Sequence, residues 1–168
     1  MATHRIPITG FATLPDTSGS VFFEPQSIKG TNDPFPMLIA VFNDTATRIG
    51  LGGRFTVPKN YVGSAKFAIV WTSTAIAGDV EWDIDYRNVG GDDAESLDQA
   101  GTQESLNLND TAPSAAWERM ECLITATAAN FAVDDECEFT LFRDGTDGGD
   151  TIAAAVTLFA LLFEYADA

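Results

Sequence analysis

The chain has 168 residues, of which 45% are hydrophobic and 11% aromatic, and this composition indicates one globular domain and excludes a disordered chain. The formal net charge at pH 7 is −16, from 25 acidic and 9 basic residues. A surface this negative repels nucleic acids and anionic membranes, because both are bound through basic patches. No apolar run reaches the length that spans a bilayer, so we expect neither nucleic acid nor membrane as a partner.

Glycine and proline punctuate short apolar segments along the whole chain, with 14 Gly and 7 Pro. This spacing is typical of many short strands joined by turns, and it predicts an all-β fold. Residues 1–19 are predicted to form an extended N-terminal arm, followed by a single domain over residues 20–168. Strands are predicted over 20–28 and 36–43, with a loop at 29–35 between them.

Three later segments, 66–72, 80–87 and 136–143, alternate between apolar and polar residues with a period of two. Successive side chains on a strand point to opposite faces, so this pattern predicts strands with one face in a core and the other in water. The residues predicted to face the core are Phe67, Ile69, Trp71, Val80, Trp82, Ile84, Tyr86, Cys137, Phe139 and Leu141.

The segments between these strands are less regular. Residues 57–63 are predicted to form a loop, and residues 117–127 alternate less cleanly, so that a strand and a short helix both remain open there. Residues 88–115 are polar, acidic and rich in glycine, and they predict a long exposed loop with one short strand near 105–108. Loops of this length are usually functional or flexible.

The closing segment, 151–165, is apolar on both of its period-two faces. Its alanines also suit a buried helix, but the preceding Arg-Asp-Gly-Thr-Asp-Gly-Gly-Asp stretch favours a turn between antiparallel strands. A strand in a two-layer sandwich buries only one face against the other sheet, so its second face needs cover from the same chain or from another subunit. We expect another subunit, with an oligomer interface formed by Ile152, Val156, Leu158, Phe159, Leu161 and Phe163.

Few residues suggest chemistry. His4 is the only histidine, which excludes Ser-His-Asp and Cys-His catalysis, and no phosphate-binding or dinucleotide-binding motif is present. Carboxylates are plentiful, but no pattern selects a glycosidase-type pair. We therefore expect no enzymatic activity. Cys122 and Cys137 flank a predicted hairpin near Asn130, and we expect two buried free thiols, although neighbouring strands also allow a disulfide.

One acidic cluster has the composition of a metal site. Asp144, Asp147 and Asp150 offer oxygen ligands at short spacing in a glycine-rich loop, which suits Ca²⁺, although the spacing differs from that of an EF-hand. The alternative, which we favour, is a turn in which these carboxylates cap backbone N–H groups and Arg143 pairs with Asp147 or Asp150. No other cofactor is indicated.

Several stretches of the chain resemble small jelly-roll structural proteins from the virions of tailed bacteriophages. The similar stretches are FNDTATRIG (42–50), FTVPKNYVG (55–63), VWTST (70–74), EWDIDYR (81–87) and the ending from Phe139 to Tyr165. The resemblance covers most of residues 20–165. It implies an antiparallel β-sandwich of jelly-roll type, often trimeric, placed on the capsid as a decoration protein or on a fibre or tail.

The function that this resemblance implies is a non-enzymatic capsid decoration or head-fibre protein. The protein would assemble in the host cytoplasm and reside on the virion, with copies of itself, as a trimer, and capsid or other virion proteins as partners. The arm would contact the capsid or a neighbouring subunit through Arg5, Ile6, Ile8 and Phe11. The alternative is a carbohydrate-binding or receptor-binding module on a phage tail or fibre, which would need an exposed ring platform such as Trp117 or Tyr61.

Overall fold

The structure is a computed structural model that describes residues 1–14, 21–26, 37–90, 95–99 and 101–167. Residues 15–19 of the expected arm and the expected loop at 29–35 lie outside this described part. The strands are β1 (Thr3–Ile8), β2 (Ala12–Thr13), β3 (Val21–Gln26), β4 (Met37–Phe42), β5 (Arg48–Thr56), β6 (Tyr61–Ser73), β7 (Asp79–Val89), β8 (Glu104–Thr111), β9 (Met120–Thr125), β10 (Glu136–Asp144) and β11 (Val156–Asp167).

The strands form two antiparallel sheets. One has six strands in the order β3-β4-β11-β6-β9, with β1 also paired to β11, and the other has five strands in the order β2-β5-β10-β7-β8. Apart from β3–β4 and β7–β8, neighbouring strands in each sheet are not consecutive in the chain, as in jelly rolls. The predicted all-β antiparallel sandwich is therefore confirmed. Within the described residues the only helical element is a 3₁₀ turn at Ala128–Asn130, and no helix there is long and apolar enough to cross a membrane.

The core lies between the two sheets and is built from the alternating residues. All ten residues that were predicted to face the core are buried. Phe163 of β11 is the centre of an aromatic cluster, with ring centroids 4.6 Å from Phe55, 5.2 Å from Phe131 and 6.1 Å from Phe67. Because Phe55 belongs to the five-stranded sheet and Phe67 to the six-stranded sheet, these rings join the two layers.

The closing segment is a strand, as predicted, but the expected oligomer interface is corrected by the structure. The register of β11 against β6 shifts between Leu158 and Ala160, so that Leu158 and Leu161, three residues apart, both belong to the core between the sheets. The interface was expected on six residues, of which five are at most 3% exposed inside this chain's own core: Ile152, Val156, Leu158, Leu161 and Phe163. Buried to this degree, they offer little surface for a contact with another copy of the folded chain.

Phe159 is the exception among the six. It is only partly buried and packs against Ile39 and Val41, which form a second, small apolar cluster apart from the main core. Thr157 and Glu164, also outside the main core cluster, are polar but nearly buried, at 6% and 5% exposure. The second face of β11 is thus covered within one chain to a greater degree than its sequence suggests.

The N-terminal segment has the extended backbone that was predicted, but it lies within the sandwich instead of forming a separate arm. Its strand β1 pairs with β11 from Thr3 opposite Ala166 to Ile8 opposite Leu161. The Arg5 guanidinium lies 2.7 Å from carboxylate oxygens of both Glu164 and Glu121. Charge pairing and backbone hydrogen bonds therefore attach this segment to its own domain.

The apolar residues of the expected arm also pack against the core of their own chain. Ile8 is 4% exposed in the main core, and Ile6 packs against that core. Phe11 lies edge-on to Phe139 at a centroid distance of 6.2 Å. Arg5, Ile6, Ile8 and Phe11 thus have partners within the sandwich, and the capsid-contacting role expected for them stays a prediction.

Two segments differ from expectation in their extent. The predicted loop at 88–115 contains β8, a strand of eight residues that pairs with β7 over its whole length. Residues 117–127 contain β9, which settles the choice between strand and short helix.

We predict that Phe163→Ala destabilises the protein by about 3–5 kcal/mol, because it removes a fully buried ring from the cluster that joins the two sheets. Phe159→Ala is the matched control and should cost about 1 kcal/mol, since this ring is partly exposed. Urea denaturation followed by tryptophan fluorescence measures both values. Equal losses for the two variants would contradict the assignment of Phe163 to the interior.

Candidate binding groove on the five-stranded sheet

The outer face of the five-stranded sheet is polar because the inner face uses the apolar half of each alternating strand. Residues paired across an antiparallel sheet point to the same side. One outward row therefore joins Gly50, Phe142, Asp83 and Asn107, and the next joins Gly52, Thr140, Asp85 and Ser105. Glu138 of β10 and Arg87 of β7 are paired two residues further along.

Three adjacent open pockets lie on this face. The first, about 380 Å³, is lined by Asp85, Arg87 and Glu138 of the sheet and, in the β7–β8 loop, by Gln99, Gly101 and Thr102. The second, about 240 Å³, shares Asp85 with the first and extends to Arg48 and Asp144. The third, about 290 Å³, shares Glu138 with the first and has Gly52 in its lining. Neighbouring pockets share a lining residue, so the three lie side by side on this face, and we call them together the polar groove.

Arg48 lines one end of the polar groove and packs on the neighbouring Phe142. The guanidinium carbon of Arg48 lies 3.6 Å from the centroid of the Phe142 ring, in cation–π contact. A Cβ added at Gly50 would be only 2.5 Å from a carbon of the same ring. A glycine is thus required at position 50, and Arg48 covers one face of the Phe142 ring.

The Arg48 guanidinium is also held by carboxylates. Its Nε donates to Asp83 at 2.8 Å, and both Nη atoms donate to one oxygen of Asp85 at 3.1 Å. Burial raises the pKa of Asp83 above its ordinary value, against the lowering effect of Arg48. Burial also acts on Asp144, but hydrogen bonds from Thr146 outweigh it and hold the pKa of Asp144 below its ordinary value.

Arg87 closes the other part of the polar groove. Its Nε donates to Glu138 at 2.8 Å, and its Nη2 donates to the carbonyl of Leu97 at 2.6 Å. Its Nη1 donates to the carbonyl of Gln99. The guanidinium therefore attaches the β7–β8 loop to the outer face of the sheet, so that this loop forms one wall of the groove.

The three carboxylates expected as a Ca²⁺ site do not converge. Asp150 binds Arg143 through two contacts, at 2.7 and 2.9 Å, and Arg143 is only 1% exposed. Asp144 accepts the backbone N–H of Thr146, and Asp147 accepts that of Gly149. In the described part of the chain, no group of three or more His, Cys, Asp or Glu residues can hold a metal ion. The Ca²⁺ hypothesis is corrected, and the capped turn with an Arg143–Asp150 pair is confirmed.

The two aromatic residues considered for a ring platform differ in exposure. Tyr61 is 8% exposed and donates its hydroxyl hydrogen to the carbonyl of Ala128, so it offers no platform. Trp117 is 36% exposed and has a left-handed backbone with φ of +70°, an uncommon conformation for a bulky residue. Its loop is fixed by Glu118, whose carboxylate accepts hydrogen bonds from Ser114 and Ala115. Trp117 does not line the polar groove.

The remaining reactive side chains lie outside the polar groove. His4 is on β1, with its Nε2 atom 2.8 Å from Asp167. Cys122 and Cys137 are free and buried, as expected, and burial raises the pKa of both thiols above the ordinary value. Neutral buried thiols are poor nucleophiles.

The groove itself was not predicted from the sequence. Its residues come from β5, β7, β8, β10 and the β7–β8 loop, and only their pairing in the sheet brings them together. The outward residues of 80–87 and 136–143 were the available signal, since a strand that alternates strictly must present a polar face.

No protein-family model matches the chain, and no curated protein matches its sequence. Among solved structures, it is similar to a family 35 carbohydrate-binding module from Clostridium thermocellum, with a TM-score of 0.53 and 10% identity over 97% of this chain and 98% of that one. A family 61 carbohydrate-binding module in complex with β-1,4-galactotriose has a TM-score of 0.49 and 8% identity, over 96% and 91% of the two chains. A xylan-binding domain from Paenibacillus barcinonensis has a TM-score of 0.48 and 11% identity, over 99% of this chain and 94% of that one. At these identities the likeness establishes the jelly-roll sandwich fold alone.

We predict that Asp150→Asn destabilises the protein by about 3–5 kcal/mol, because it leaves the buried Arg143 with only the longer contact, 3.4 Å, to the exposed carboxylate of Asp44. Asp147→Asn is the control and should stay within about 0.5 kcal/mol, since an amide oxygen can still accept the Gly149 hydrogen bond. Chelation with EDTA should leave the melting temperature unchanged. A clear fall in melting temperature on chelation, restored by added Ca²⁺, would show that the capped turn is a metal site.

Proposed function

We propose that the chain is a non-catalytic binding module that holds a glycan in the polar groove. The observation that carries this proposal is the row of three adjacent polar pockets on the outer face of the five-stranded sheet. A sugar chain is an elongated ligand rich in hydroxyl donors and acceptors, and it suits an open groove lined by carboxylate, amide and hydroxyl groups. The fold of the family 35 carbohydrate-binding module supports the choice of ligand by analogy only.

The chemistry of the groove suits recognition through hydrogen bonds. Asn107 and Asn109 on β8 donate to Glu81, at 3.0 and 3.1 Å, which fixes the orientation of both amides. The Phe142 ring is covered by Arg48, so stacking against a sugar ring contributes little there. We therefore expect selectivity from hydroxyl positions and modest affinity.

Two features support binding without catalysis. Asp83 and Asp144, whose pKa values are shifted in opposite directions, lie close enough to act on each other's pKa, and both line the same small pocket. The two carboxyl groups of a glycosidase are about 5 Å or more apart, on either side of the bond that is cleaved. Asp85 and Glu138 each form an ion pair with an arginine, which holds the carboxylate in place as a binding group.

Blocking the groove tests the proposal. Gly52 has room for a side chain, because an added Cβ would be no closer than 3.6 Å to its neighbours, so Gly52→Gln should fill the third pocket without unfolding the sheet. We expect binding on a glycan array and by calorimetry for the unmodified protein, and a loss of about tenfold or more in Gly52→Gln.

The matched control is Thr125→Gln, which places the same side chain at an exposed position of β9 on the other sheet. It should bind as the unmodified protein does. Equal binding by all three proteins, or no binding to any glycan, would overturn the proposal.

A structural role in the virion of a tailed bacteriophage is the second candidate. Besides the sequence resemblance, it is supported by an apolar pocket of about 280 Å³ on the six-stranded sheet. Along one edge of β11, β4 pairs with Val156–Leu158 and β1 pairs from Leu161 onward, and the pocket lies at Phe159 between them. A capsid protein or another copy of the chain, as in a trimer, would bury this ring.

This second candidate predicts self-association that depends on Phe159. Light scattering at micromolar concentration should give an oligomer, and Phe159→Asp should give a monomer, because a carboxylate cannot be buried unpaired in an apolar contact. Circular dichroism verifies that the variant is folded. A monomeric unmodified protein would count against the trimer and would leave the groove proposal untouched.

A further inference from the structure

The charges that line the polar groove are unequal. Its three pockets contain the guanidinium groups of three arginines and the carboxylates of five acidic residues: Arg48, Arg54, Arg87, Asp83, Asp85, Glu138, Asp144 and Asp147. An excess of negative charge alone does not define a ligand. The hydrogen bonds that each group already makes show which donors and acceptors remain open to one.

The two central arginines have their nitrogens engaged by the protein. Each of the three guanidinium nitrogens of Arg48 donates to a carboxylate, either Asp83 or Asp85. Each nitrogen of Arg87 likewise has an acceptor, in Glu138 or in the carbonyls of the β7–β8 loop. The third arginine, Arg54, is 71% exposed and pairs with Glu136 at 3.5 Å, so its charge is screened by solvent.

The carboxylates retain unused acceptors. Arg48 contacts only the Oδ2 atom of Asp85, and Arg87 contacts only the Oε2 atom of Glu138. Among the hydrogen bonds of the described residues, none reaches Oδ1 of Asp85 or Oε1 of Glu138. These two residues line the points at which neighbouring pockets meet, so a ligand that follows the groove passes both of them.

We infer that the polar groove selects glycans without negative charge and excludes uronic-acid and sulfated ones. This inference rests on the proposed glycan-binding function and adds its ligand class. Hydroxyl or ammonium hydrogens of a sugar donate to the open oxygens of Asp85 and Glu138. A carboxylate or sulfate on the ligand would meet these oxygens as a like charge, and the positive charges of Arg48 and Arg87 are already paired with carboxylates of the protein.

A set of glycans that share one linkage and differ in charge tests the inference. The probes are β-1,4-linked cello-, xylo- and galacto-oligosaccharides as neutral members, chitosan oligosaccharides as cationic members and β-1,4-glucuronan oligosaccharides as anionic members. A glycan array of neutral, amino and acidic glycans with other linkages extends the set. Calorimetry at about 0.02 M salt should give binding to neutral or cationic members that is at least about tenfold tighter than to anionic ones.

The Asp85→Asn variant makes the test specific to the groove. It removes one charge and releases part of Arg48, so the preference for neutral over anionic glycans should fall by about threefold or more. The matched control is Asp134→Asn, the same change at a left-handed position in the turn before β10, where asparagine is well tolerated. This control should keep the original preference.

The outcomes separate the inference from the proposed function. Binding confined to neutral or cationic glycans, with the preference reduced only in Asp85→Asn, supports both. An anionic glycan that binds as tightly as its neutral counterpart, and loses binding in Gly52→Gln, overturns the charge selection and keeps the groove as the site. Absence of binding to every probe overturns the proposed function, and the inference with it.

Discussion

The period-two alternation along β7 and β10 is the constraint on which the rest of the structure depends. Because neighbouring side chains point to opposite faces, each apolar residue placed in the core leaves a polar residue on the outer surface. Trp82 and Phe139 fill the space between the sheets, and Asp85 and Glu138 consequently face outward. The core and the polar groove are thus two sides of the same strands, and the packing that stabilises the sandwich also fixes the positions of the groove residues.

The sequence predicted the strands that obey this alternation and was less informative about the others. The pattern of β5, Arg48–Thr56, is obscured because glycines occupy outward positions, and the close approach of Phe142 to Gly50 explains one of them. The strand β8 has two apolar residues, Leu106 and Leu108, among polar ones, so its sequence resembles that of a loop. In β11 the register shift next to Phe159 changes which residues face inward, and no sequence pattern marks that shift.

The site was harder to predict than the fold for a physical reason. A carboxylate on an exposed strand face has the same sequence signature whether it pairs with an arginine, caps a turn or meets a ligand. The sequence placed Arg143 beside Asp150, because the two are close in the chain, and the structure confirms that pair. It could not place Arg48 beside Asp83 and Asp85, which are separated from it by 35 and 37 positions and are joined by the sheet.

The location of the ligand is the most direct test of this account. Backbone amide resonances of the ¹⁵N-labelled protein can be followed by NMR during titration with the glycan that binds most tightly on the array. The account predicts shifts concentrated on the outward positions of β5, β7, β8 and β10 and on the β7–β8 loop, with the six-stranded sheet unchanged. Shifts centred on the Trp117 loop or on the apolar pocket at Phe159, with the five-stranded sheet silent, would contradict it.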